Sequence, residues 1–65
     1  MPAKIPAATR TLDTLRTLAK ASAPLTAATI ASRIGAPRSS TYQLLQVLEA
    51  EGFVIHFADD SRWGL

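Results

Sequence analysis

Residues 36–52 read APRSSTYQLLQVLEAEG. Pro37 suits the first turn of a helix, where its missing N–H costs nothing. Gly52 suits the left-handed position just past a helix end. Stepping the residues at about 100° each separates two faces. Thr41, Leu44, Leu45 and Leu48 gather on one, while Ser39, Tyr42, Gln43 and Gln46 gather on the other, with Arg38 at its edge. The spacing therefore predicts an amphipathic helix over about 37–51. Its polar face is unusual in kind, because a solvated face ordinarily favours Glu and Lys pairs. Amides, hydroxyls, a phenol and a guanidinium can instead hydrogen-bond base edges and phosphates.

Upstream, a short helix is predicted from a Thr26 N-cap to Ile34, with Ala27, Ile30, Ala31 and Ile34 inward and Gly35 as its stop. The link to the next helix is only Gly35-Ala36-Pro37, so the two must cross steeply, as in a helix-turn-helix. Before it, Leu12, Leu15, Leu18 and Ala19 recur at three- and four-residue steps and predict a first helix over Thr9–Ala21. Thr9 or Thr11 is available as its cap, and Ser22-Ala23-Pro24 ends it. Residues 1–8 contain Pro2 and Pro6 and read as a flexible lead-in.

Downstream, Phe53-Val54-Ile55-His56-Phe57 has the composition of a strand. Ala58-Asp59-Asp60-Ser61 reads as a turn, and Arg62-Trp63-Gly64-Leu65 as a return strand. Val54, Trp63 and Leu65 are expected inward, with Ile55 and Phe57 facing away. The expectation is a mainly α winged helix-turn-helix over residues 9–65: three helices plus a two-stranded antiparallel wing.

The 65 residues suffice for one small domain, which buries only about 60% of its unfolded surface. There is no cysteine, so no disulfide or Cys-based zinc site can staple it. No signal peptide or bilayer-length apolar run is visible, and a cytoplasmic location is expected. The net charge of +2 hides an asymmetry. Lys4, Arg10, Arg16, Lys20, Arg33 and Arg38 face Asp13 alone in residues 1–48, whereas Arg62 stands against Glu49, Glu51, Asp59 and Asp60 thereafter. A basic front part that includes the start of the third helix favours a polyanion partner.

Catalytic chemistry is not expected. The single histidine, His56, has no convergent partner at metal-ligand or acid–base spacing. Ser39, Ser40 and Thr41 lack a context for nucleophilic activation. Gly35, Gly52 and Gly64 are scattered punctuation, not a phosphate loop. Neither a cofactor nor a metal is implied.

Arg10–Leu65 resembles the N-terminal winged-helix domain of the isocitrate-lyase-regulator (IclR) family of bacterial transcription factors. The resemblance rests on RTLDTLRTLAKASAPLT, on ATIASRIGAPRSSTYQLLQVLEAEGFV and on the Arg62–Leu65 return strand. It implies sequence-specific binding of double-stranded operator DNA by a dimer, with the 37–51 helix as recognition helix in the major groove. It also implies a larger effector-binding domain beyond this chain, and dimer contacts through the first helix and that domain. On this reading Arg38, Ser39, Ser40, Tyr42, Gln43 and Gln46 meet the DNA, and Arg62 touches the backbone from the wing. Three departures stand out. Gln43 replaces a usual Arg. Thr14 and Thr17 replace apolar residues of the first helix, so a homodimer of these 65 residues is expected to be weak. Ile55, His56 and Phe57 occupy strand positions that often carry Arg. The alternative is a winged helix used for protein–protein assembly, with Ile55 and Phe57 as its adhesive surface.

Overall fold

The computed structural model describes residues 6–65. In chain order they form α1 (Pro6–Lys20), β1 (Leu25–Thr26), α2 (Ala27–Ile34), α3 (Arg38–Ala50), β2 (Ile55–Phe57) and β3 (Arg62–Gly64). This is a winged helix: three helices with a small antiparallel sheet against them.

The junctions follow from local chemistry. The Thr26 side chain accepts a hydrogen bond from the Thr29 N–H at 3.2 Å and so caps α2. Gly35, at φ 69°, ends α2 in the left-handed region, and the next amide, Ala36, returns to the Ala31 carbonyl at 3.0 Å. Pro37 sits at the N-cap of α3, one residue before the first turn, in extended conformation. With no side-chain oxygen to offer, it serves through its carbonyl, which accepts from the Thr41 N–H, the Thr41 hydroxyl and the Ser40 hydroxyl. At the far end Gly52, at φ 86°, donates to the Glu49 carbonyl, and Phe53 donates to Leu48 at 2.8 Å. This paired closure is a Schellman motif, and it turns the chain directly toward β2.

The core is Leu18, Ile30, Leu45, Leu48, Val54 and Trp63, with Leu15, Leu25, Ala27, Ile34 and Leu44 packed around it. Leu45 and Ile30 are wholly buried. Each helix thus contributes one apolar stripe, and the sheet contributes its inner face.

Four expectations need correction. Within the expected lead-in, residues 1–5 lie outside the described residues, but residues 6–8 are helical. Pro6 opens α1, a position that tolerates proline, and neither Thr9 nor Thr11 is its start. Thr11 instead donates to the Ala7 carbonyl. The buried side of α1 is Thr14 and Leu18, while Leu12 is 50% exposed and Ala19 is exposed. Thr14 takes a core position because its hydroxyl donates to the Arg10 carbonyl at 2.7 Å, leaving its methyl to pack.

The sheet has a third strand. Its order is β1-β3-β2, with Leu25 opposite Trp63 and Thr26 opposite Arg62 on one side of β3. On the other side Ile55, His56 and Phe57 oppose Gly64, Trp63 and Arg62. Finally, Leu65 is 58% exposed, because β3 ends at Gly64 and the alternation stops with it.

Candidate nucleic-acid interface

The side of α3 turned away from the core carries Ser39, Gln43, Gln46 and Val47, all exposed. Its buried side is Thr41, Leu45 and Leu48, at four- and three-residue steps. No acidic residue occurs in α3 before Glu49, and none of the exposed polar side chains Ser39, Gln43 and Gln46 is engaged in a hydrogen bond with another described side chain. Their donors and acceptors are free to meet a ligand.

The remaining expected residues divide. Arg38 is exposed at the start of the helix. Tyr42 is 44% exposed, and its ring meets Trp63 edge-on, with centroids 5.9 Å apart and planes at 84°. It joins the polar face to the wing. Ser40 leans the other way. Its hydroxyl donates to the Pro37 carbonyl, and it lines a cleft of about 190 Å³ with Ala7, Arg10, Ile34 and Leu44. The structure therefore does not group Ser40 with Ser39, Gln43 and Gln46.

Arg62 is also committed inside the protein. Its guanidinium donates to the Pro24 carbonyl at 3.4 Å and lies 3.4 Å from the Asp60 carboxylate. It stands on the outer face of β3, flanked by Thr26 and Phe57. Ile55 and Phe57 are both exposed, Phe57 in part against Gly64. The Phe57 ring edge lies 3.3 Å from where a Cβ on Gly64 would sit, so it covers the strand where the glycine leaves a gap.

Sequence reasoning missed Val47, which is 58% exposed beside Gln43 on the flank of the outward face. The stripe Leu44, Leu45, Leu48 already accounts for the buried side, and Val47 falls outside it; that was the available signal. An exposed aliphatic group on such a face can meet a thymine methyl. Among the described residues no cluster of side chains could hold a metal ion, and no helix is long and apolar enough to cross a membrane.

The family model of the IclR helix-turn-helix domain matches residues 7–55, which take in α2, α3, all of α1 but its first residue, and the start of the wing. The chain belongs to the IclR helix-turn-helix family. A solved relative is HmgR of Pseudomonas aeruginosa, 30% identical, with a TM-score of 0.83 over 94% of this chain. The match covers 25% of HmgR, so this IclR domain spans about a quarter of that protein's length. A search among curated proteins finds no match. The fold and family make this a DNA-binding domain of a transcription regulator.

Proposed function

We propose that this IclR domain reads a specific double-stranded DNA sequence by placing α3 in the major groove. One observation carries the reading: Ser39, Gln43, Gln46 and Val47 are exposed together on the helix face opposite the core, with Arg38 at its leading end. The amides are suited to adenine, Val47 to a thymine methyl, and Arg38 to guanine or a phosphate. Tyr42, braced by Trp63, adds a phenol at the wing side. Ser40 and Arg62 contribute less than the sequence suggests, since each has a partner within the domain.

The proposal extends to a homodimer on a two-fold site in a bacterial cytoplasm. One recognition helix spans few base pairs, and two half-sites one or more helical turns apart supply the missing discrimination. Leu12, exposed on α1, is the apolar group available for such a contact, whereas Thr14 is turned into the core and takes no part. Because HmgR is about four times longer, the reading also includes an effector-binding domain following this one.

Selection of bound duplexes from a random pool tests the proposal. A shared motif, lost when Gln43 and Gln46 are both replaced by Ala, is the expected result. Selection that returns no motif with folded protein sinks specific readout.

A further inference from the structure

Resting on the DNA-binding reading above, we propose that His56 is a second, wing-borne DNA contact, made in its imidazolium form. The domain then grips a duplex more tightly as the pH falls. Of the side chains from Phe53 to Leu65, only Arg62 and His56 can be cationic. Arg62 lies on the outer face of the sheet and is held by Asp60 and Pro24. His56 lies on the inner face of β2, an edge strand, directly opposite Trp63. Its ring stacks on the indole, with centroids 4.1 Å apart and planes 19° from parallel. The same indole receives Tyr42 of α3. One indole thus links the imidazole of the wing to the phenol of α3.

Two features suit it to a phosphate. Neither ring nitrogen has a hydrogen-bond partner among the described side chains, and neither is sealed from solvent, since the half-buried residue leaves no unpartnered buried nitrogen. A cation stacked on an indole is itself favoured by the ring's quadrupole. The other titratable and charged groups around it are few. Arg38, Tyr42 and Glu49 share the wing-side flank of α3 by helical phase. Arg62 stands on the opposite face of β3, and Asp59 and Asp60 lie in the turn after β2, with Asp60 engaged by Arg62.

The sign follows from linkage. A neutral imidazole gives a phosphate little, and an imidazolium gives it a charge-assisted donor. DNA thus holds the proton on, and affinity is higher at about pH 5.5 than at about pH 8. His56 is the chain's single histidine, and the amino terminus, which also gains a proton in this direction, is the same in wild type and in the variants below.

Fluorescence anisotropy with a short labelled duplex of random sequence, titrated at several salt concentrations at both pH values, tests this. For the wild type, affinity rises several-fold at the lower pH, and the slope of log K against log salt steepens by about 0.9, one further phosphate. His56→Gln removes the steepening, and His56→Lys shows the steeper slope at both pH values. Circular dichroism at both pH values checks each fold, and the comparison of the wild-type and Lys slopes stands without the Gln variant. A wild-type slope that is the same at both pH values, or a folded His56→Gln that keeps the wild-type change, overturns the role of His56 while leaving the DNA reading intact. Folded wild type that binds no duplex at either pH overturns both.

Discussion

At the scale of single residues, neighbours on α3 have opposite duties. Leu45 is wholly buried, and Gln43 and Gln46 on either side of it are exposed. Leu45→Ala deletes packing and leaves a cavity, and is expected to cost about 2–5 kcal/mol of stability by urea unfolding. Gln43→Ala and Gln46→Ala are expected to change stability by less than about 0.5 kcal/mol. Each should instead lower discrimination between the selected site and a mutated one by about 1–3 kcal/mol in competition titrations. Glutamine variants that melt early yet read the same site would mean the polar face has been assigned to the wrong side. Thr14 and Thr41 show why residue type alone misleads. Both are essentially buried, and both return a hydroxyl to the carbonyl four residues earlier. A threonine that satisfies itself in this way packs much like a valine, so a count of apolar letters finds Leu15 and Leu18 on the inner side of α1 but adds Leu12 and Ala19 and misses Thr14.

At the scale of elements, the ends of α2 and α3 were legible, the start of α1 was not, and the sheet was only half so. Gly35, Pro37 and Gly52 mark their boundaries because each answers a local backbone demand. Gly52 is the sharpest case, and Gly52→Ala is expected to cost about 1–2 kcal/mol in thermal unfolding, since alanine gains a steric penalty at φ 86° although nothing lies within 4 Å of its Cβ. A variant of unchanged midpoint would show that the closure of α3 relaxes freely. Pro6 was read as a breaker because proline opposes a helix interior, but at the first position the same ring favours helix. Leu25–Thr26 left no strand signature, since two residues show no alternation and their partner lies some 38 positions away in Arg62 and Trp63. The polar face of α3 was legible from its spacing. The retention of Arg62 by Pro24 and Asp60, and the placing of His56 against Trp63, depend on strand register, which composition does not carry.

At the scale of the whole molecule, charge and size govern. Arg16 is paired with Asp13, and Arg62 with Asp60, both at the surface. Arg10, Lys20, Arg33 and Arg38 remain for a polyanion among the described residues. About 3–5 phosphates per domain are then neutralised, and log K should fall with log salt at a slope of roughly −3 to −4.5 near neutral pH. A flat dependence would count against contacts to the DNA backbone. Self-association of these 65 residues should be weak, in the micromolar range or above, because Leu12 offers α1 only a small apolar contact. Sedimentation over a range of concentrations, with and without a palindromic duplex, checks this. One domain per palindrome at saturation would refute the dimer.

The strand order β1-β3-β2 also has a consequence for how the domain is made. A ribosome delivers β1 and β2 before β3, yet in the sheet the two lie on either side of it, about 10 Å apart, and do not pair with each other. The strand synthesised last is the middle one, and it brings Trp63, the largest side chain of the core. Until it arrives, both earlier strands have an unpaired edge, and Leu18, Ile30, Leu45 and Leu48 surround an empty place. Nascent chains should therefore stay protease-sensitive until Gly64 has cleared the exit tunnel and then become resistant in one step. A chain stopped after Ser61 should show helical dichroism without a cooperative melt. If it melts cooperatively, the helices close the core by themselves, and the sheet is a later addition to a domain already folded.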